Sequence, residues 1–249
     1  YLGCNGFVLK ASDGTTIFID PYLGTGDPPR TIRMIPIPFD PADIESAVAV
    51  LATHEHTDHV HGPSQVPLLA ETDATFHGPS ESVKIAEGWV SDHDIDAGDI
   101  AECAEGDQLE IGSLSIHVES AHDPDADHPI SHVIEHESGT FFHGGDARPS
   151  EAFESIGGRY DIDLAAVAFG SSGMILDKQT REPKYTRWYS DENQIVEAAR
   201  QLQLDRLLPT HWDMWKGLTA DPTALHDHAR SFEYPQRLEI GEIGDRVDL

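Results

Sequence analysis

Short β-prone apolar runs set the rhythm of this chain, and turn residues punctuate them. Residues 2–11 and 15–20 are β-rich and separated by Ser12-Asp13-Gly14, which predicts a hairpin. A Pro- and Gly-rich loop covers residues 21–41, and the run 48–53 reads as a short buried strand. Helices are predicted over 63–70 and 80–88, the second opened by Pro79 and Ser80, with a strand at 75–77 between them. Two more hairpins follow: 108–111 with 114–120 around Gly112-Ser113, and 130–136 with 140–143 around Ser138-Gly139. Then come an apolar strand at 164–169, an amphipathic helix at 191–202, a strand at 206–209 and a helix at 222–230. Terminal strands are expected near 237–240 and 246–249. The order is β-rich first, then mixed, twice over. That suits a mixed α/β (α+β) architecture of two sheets packed face to face with helices outside. No repeat or linker interrupts it, so residues 1–249 are expected to form a single domain.

Composition narrows the picture. No segment approaches about eighteen consecutive apolar residues, so no membrane span is expected. Cys4 and Cys103 are far apart and form no metal-like pair, and no basic-then-apolar leader follows Tyr1. Both features fit a free-thiol, cytoplasmic protein. The formal net charge is −29, from 45 Asp+Glu against 16 Lys+Arg, spread along the whole chain. Nucleic acid is an unsuitable partner for such a surface, because its binding rests on neutralising phosphates with cations. A uniformly acidic, lysine-poor surface resembles that of proteins from salt-loving cytoplasms, where salt screens the self-repulsion.

The heptad Thr53-His54-Glu55-His56-Thr57-Asp58-His59 carries the chemistry. No helical or strand period puts residues 54, 56, 58 and 59 on one face, whereas a loop folded around a point does. Imidazole and carboxylate are usual ligands of Zn²⁺ and also suit Mn²⁺ or Fe²⁺. Further candidates lie at other strand ends: His122 after 114–120, Asp146 in Gly144-Gly145-Asp146-Ala147, and His211 after 206–209. The paired glycines let the backbone turn sharply and bring the carboxylate close.

This order, H-x-H-x-D-H, then His, then G-G-D, then His, resembles the metallo-β-lactamase fold superfamily. The resemblance implies a four-layer αββα sandwich with one or two divalent ions at one edge, Zn²⁺ or Mn²⁺ foremost and Fe²⁺ third. It assigns one ion to His54, His56 and His122, the other to Asp58, His59 and His211, with Asp146 bridging. A narrower resemblance is to the L-ascorbate-6-phosphate lactonase family. It rests on Tyr1-Leu2-Gly3-Cys4-Asn5-Gly6-Phe7, Ile19-Asp20-Pro21-Tyr22-Leu23-Gly24-Thr25-Gly26, Phe142-His143-Gly144-Gly145-Asp146, Phe169-Gly170-Ser171 and Pro209-Thr210-His211-Trp212-Asp213-Met214-Trp215. It implies a Mn²⁺-dependent cytoplasmic hydrolase that opens a phosphorylated sugar lactone.

The expected activity is hydrolysis of a lactone or a phosphorylated small molecule by a metal-bound hydroxide. Asp58 is the expected catalytic carboxylate, orienting that hydroxide or shuttling a proton. A phosphodiesterase on the same fold and a non-catalytic metal-binding protein are the alternatives. Asp20 reads as an acceptor for a ligand histidine N–H, against a plain turn Asp before Pro. His143 reads either as a support for the ligands or as a buried core histidine. Trp212 and Trp215 flank His211 and read as pocket wall or as core. Lys178, Arg181, Lys184 and Arg187 form a cationic island in a segment without clear secondary structure. It reads as a lid admitting an anionic substrate or as surface charge paired with nearby acids. The partner expected is a small molecule, with neither nucleic acid nor membrane, and a homo-oligomer is left open.

Overall fold

A computed structural model describes residues 1–28, 31–93, 95–170, 172–176 and 180–249, and the statements below refer to these. β1 (Phe7–Lys10) and β2 (Thr16–Ile19) make the first hairpin, Phe7 opposite Ile19. β3 (Ala49–Leu51), β4 (Thr75–Gly78) and β5 (Ile100–Glu102) add in parallel, completing a five-stranded sheet in the order β1-β2-β3-β4-β5. Between β3, β4 and β5 the chain returns through α1 (Gly62–Glu71) and α2 (Ser80–Val90). The second sheet begins as an antiparallel meander of β6 (Gln108–Ile111), β7 (Leu114–Ser120), β8 (Ile130–His136) and β9 (Gly139–His143). It continues in parallel through β10 (Leu164–Ala168). A separate antiparallel ribbon, β11 (Ser172–Leu176) with β12 (Pro183–Arg187), leaves this sheet before the chain returns to it through β13 (Arg206–Thr210) and β14 (Arg237–Leu238). The order is β14-β13-β10-β9-β8-β7-β6. α3 (Glu151–Gly157), α4 (Glu192–Gln201) and α5 (Pro222–Phe232) supply its helices.

Period-2 alternation builds the layers. Ile17, Ile19, Ala49 and Leu51 of one sheet meet Ile116, Ile134, Phe141, Leu164, Ala166 and Leu208 of the other. Their neighbours face outward. Phe18, Val50 and Phe76 pack on Val66, Leu68 and Leu69 of α1 and on Val83 and Ala86 of α2. Val133, Phe142, Ala165, Val167 and Leu207 pack on Phe153 and Ile156 of α3, on Ile195, Ala198, Ala199 and Leu202 in and after α4, and on Leu225 of α5. Both faces of each sheet are therefore covered, and the result is an αββα sandwich. No described helix is long and apolar enough to cross a membrane.

Four elements differ from the expectation. α3 is only seven residues long, with Phe153, Ile156 and Gly157 buried, too short for a helical period to register; Ser150 caps it through its side chain. β5 has no buried residue and ends its sheet, so it lacks apolar alternation. The segment of the basic island reads as lacking clear secondary structure but contributes β12 to the β11-β12 ribbon, which arises from pairing, since β12 is mostly exposed. Residues 246–249 form no strand; they lie mostly exposed, and only Val247 packs on the inter-sheet core.

With 45 acids and 16 Lys+Arg, at least 29 carboxylates have no Lys or Arg of their own. Raising KCl from 0.1 M to 1 M shortens the Debye length from about 10 Å to about 3 Å. On the hypothesis that self-repulsion strains this fold, the thermal midpoint should rise by at least ~5 °C, about 2 kcal/mol for a chain of this size. An unchanged or lower midpoint in molar salt would discard the hypothesis.

Candidate metal centre

Loops at one edge of the sandwich converge on a single point. They comprise the turn before β1 with Cys4 and Asn5, Asp20 after β2, residues 53–60 after β3, Asp123 after β7, Gly144 to Asp146 after β9, and His211 after β13. Two groups of donors form there, each with its ligand atoms within 4.8 Å of one another. One holds Cys4, Asp58, His59 and His211, and the other His54, His56, Asp123 and Asp146. Asp146 reaches both, with Oδ2 3.7 Å from His54 Nε2 and Oδ1 3.4 Å from His59 Nε2 and 3.5 Å from His211 Nε2.

Surrounding hydrogen bonds aim the imidazoles. Asp20 Oδ2 accepts from His59 Nδ1 at 2.8 Å and from the Thr53 hydroxyl at 2.7 Å. Because that hydroxyl donates to Asp20, it accepts from His54 Nδ1 at 3.0 Å. The carbonyl of Asp125 accepts from His56 Nε2 at 3.1 Å. These contacts leave His54 Nε2, His56 Nδ1 and His59 Nε2 as lone-pair atoms facing the centre. Asn5 donates to Asp146 Oδ1 at 2.6 Å and accepts from the Thr210 hydroxyl, which fixes its amide orientation. His143 donates through Nε2 to the Asn5 carbonyl at 2.8 Å and accepts from the Gly145 N–H at 3.3 Å, so it braces both loops. Gly145 itself has φ +56°, and a Cβ there would sit 2.7 Å from Thr53 Oγ1, which is why the carboxylate loop can approach this closely.

Three non-glycine residues at the centre, Cys4, Asp20 and His211, also adopt positive φ, of 56°, 44° and 66°. Such strain is maintained only where the surroundings over-determine it, and it clusters at functional sites. The Cys4 carbonyl accepts from the His211 amide at 2.9 Å, which locks two of these turns together.

The donor set fits divalent metal. His59 Nε2 and Asp123 Oδ2 are buried without any hydrogen-bond partner in the protein, a costly arrangement unless something binds there. Burial opposes a proton on His59, yet Asp146 and Asp20 outweigh it and hold the imidazole well above its ordinary range. Burial likewise opposes a proton on His211, and Asp146 with Asp58 outweighs it. A cation is what this field favours, and a metal ion satisfies it where a proton otherwise would. Burial pushes Asp123 up, while Asp58 stays well below the usual carboxylate range because its His211 hydrogen bond and His59 outweigh burial. His54, pressed by burial and by His59, falls to about 3 and is neutral, as a ligand must be.

Several sequence expectations meet different geometry. His122 is exposed and belongs to neither donor group, and Asp123 (8% exposed) occupies that place. After β7 the Asp123 carboxylate is held by its own loop, its Oδ1 accepting from the Asp125 N–H at 3.1 Å. Cys4, expected to be no ligand, sits in a donor group. Lys178 lies outside the described residues. Arg181 and Lys184 are exposed, while Arg187 is half-buried and pairs with Asp191 at 2.7 Å and Gln194 at 3.1 Å at the start of α4. Trp215 donates to Asp58 Oδ2 at 3.2 Å and lines the cavity over the centre. Trp212 instead packs on the outer core beneath α3–α5. Asn5, Thr53, Tyr22 and Tyr189 escaped sequence reading. Thr53 directly precedes the metal motif, and Asn5 follows Cys4 in the quoted N-terminal motif, so adjacency was their only signal.

Residues 15–212 match the family described as "Beta-lactamase superfamily domain". The chain belongs to this family. The match covers every donor named above except Cys4. Among superfamily relatives, the chain is 26% identical to a probable L-ascorbate-6-phosphate lactonase of Escherichia coli, over 90% of this chain and 72% of the relative. Its fold matches that of Igni18, a metallo hydrolase from Ignicoccus hospitalis, with a TM-score of 0.70 at 17% identity, covering 100% of this chain and 96% of the other. It also matches an isothiocyanate hydrolase from Delia radicum gut bacteria, with a TM-score of 0.72 at 15% identity, covering 98% and 95%.

Proposed function

We propose that this metallo-hydrolase of the beta-lactamase superfamily opens a small, uncharged lactone. The observation that carries the reading is the cavity above the donors, about 840 Å³, lined by Tyr22, Thr31, His56, Asp58, Tyr189 and Trp215 among others. No Lys or Arg appears among its described lining residues, and Asp27 lies on its wall. Asp58, Asp123 and Asp146 together balance three of the four charges two divalent ions would bring. Little positive field is left for a phosphate, which is usually held by Arg, Lys or a row of backbone N–H groups. Aromatic walls suit the faces of a small ring instead: Tyr189 stacks on His211 with ring centres 4.0 Å apart, and Tyr22 lies 5.5 Å from Trp215. The likeness to a probable lactonase supports the ester chemistry, and the lack of Lys and Arg among the described lining residues favours an uncharged ring over a phosphorylated one.

His54, His56, Asp123 and Asp146 would hold one ion and Asp58, His59 and His211 the other. Ions bound there would lower the pKa of a water towards neutrality and would polarise an ester carbonyl. The protein's own part is orientation and proton handling. Asp58 stays ionised, and its Oδ2 takes the indole N–H of Trp215, so the carboxylate faces the cavity mouth in a fixed pose to accept a hydrogen bond from the attacking water. Tyr22, Tyr189 and Trp215 exclude bulk water from the ring's faces.

Metal-reconstituted protein should be assayed against uncharged lactones, their phosphorylated counterparts and phosphodiesters. Uncharged lactones should show the higher kcat/KM by at least ~10-fold, about 1.4 kcal/mol. Preference for the phosphorylated ring, or for the diester, would replace this reading.

A further inference from the structure

We propose that the sulfur of Cys4 is itself a metal ligand, completing the site of Asp58, His59 and His211 and biasing it towards a thiophilic ion such as Zn²⁺. Cys4 Sγ lies 3.1 Å from His211 Nε2 and 3.6 Å from Asp58 Oδ2. Around a tetrahedral ion, metal–sulfur and metal–nitrogen bonds of about 2.3 Å and 2.0 Å set neighbouring ligand atoms roughly 3.5 Å apart. The sulfur thus lies at the spacing of a neighbouring ligand. The same group contains His59 Nε2, fully buried, without a hydrogen-bond partner and directed at the centre.

Packing alone does not account for this cysteine. It touches the small cluster of Tyr22, Met214 and Trp215, where an apolar residue of similar size would serve as well. Yet its backbone is held at φ 56°, a conformation that favours Gly or Asn, and its carbonyl is tied to the amide of His211. The strained turn delivers the sulfur to the centre, and the hydrogen bond from the His211 amide to the Cys4 carbonyl ties the two donors' turns together. On coordination the sulfur–metal bond forms and the thiol proton passes to solvent. Thiolate is a soft donor, so it discriminates for Zn²⁺ and against Mn²⁺, whereas an all-N/O site leaves that choice to availability. The inference rests on the paired metal centre proposed above.

Cobalt(II) reports sulfur ligation directly. Wild-type protein reconstituted with Co²⁺ should show the near-ultraviolet charge-transfer absorption of a thiolate–cobalt bond. Cys4→Ser should lose that band and bind Zn²⁺ about 10- to 100-fold more weakly, with Mn²⁺ affinity changed less than about threefold. Cys103→Ser should keep the band, because Cys103 is buried against Val118 and Ile130, away from the donors. Cobalt bound by wild type without the band, or a Cys4→Ser protein with unaltered zinc affinity, overturns Cys4 ligation and leaves the metal centre standing. Wild type that takes up no cobalt at all overturns both. Since the band is read on the wild type, a Cys4 variant that fails to fold leaves the test decisive.

Discussion

Asp146→Ala is expected to release both ions and to lower kcat/KM by at least ~10³-fold, about 4 kcal/mol of transition-state stabilisation. Asp146 has its two oxygens facing different donor groups, Oδ2 towards His54 and Oδ1 towards His59 and His211. Removing it leaves imidazoles crowded together, with the rings of His54 and His59 only 3.9 Å apart and less negative charge to favour a cation between them. The Asn5 amide, which donates to Oδ1, also loses its partner. Asp146→Asn retains the shape but replaces one oxygen with a donor, and should fare little better. Elemental analysis on protein expressed in metal-supplemented medium provides the check. Two ions per chain in either variant would rule out the bridging role.

The paired variants Asp123→Ala and His122→Ala should behave oppositely. Asp123→Ala should lose one ion preferentially and about 10²-fold in kcat/KM, or about 2.7 kcal/mol, while His122→Ala should stay within about twofold. The reason is burial and direction. Asp123 Oδ2 is buried, unpartnered and 3.9 Å from His54 Nε2, whereas the neighbouring imidazole is exposed to solvent. A buried carboxylate oxygen left without a hydrogen bond is expensive unless a cation meets it, which points to ligation. Metal lost from His122→Ala and kept in Asp123→Ala would return the ligand role to the histidine.

These contrasts trace where sequence reading runs out. The H-x-H-x-D-H loop is legible because its ligands lie within six residues, so one local loop conformation suffices to gather them. Asp20 was legible for a related reason: a carboxylate at a strand end before Pro points where the strand points, and here it meets His59 and Thr53. The basic island illustrates the opposite case. Its charges are plain in the sequence, yet the described lining of the cavity includes neither Arg181, Lys184 nor Arg187, the last of which pairs instead with Asp191 and Gln194.

By itself, the sequence determined most of the sheet-and-helix order, through alternating and helical hydrophobic periods that local chain geometry must obey, and left out α3, β5 and the β11-β12 ribbon. It also determined the donor motif, its family and the acidic surface, since each is a matter of residue type and short spacing. Only the tertiary structure decided which of two adjacent residues, His122 or Asp123, turns inward, because an irregular loop carries no period to predict it. The same holds for Cys4, more than two hundred residues from His211 in sequence, which a single backbone hydrogen bond between two strained turns sets beside it. And only the packed edge of the two sheets could show that the cavity over the metal donors is walled by tyrosine and tryptophan, since those residues come from three separate loops.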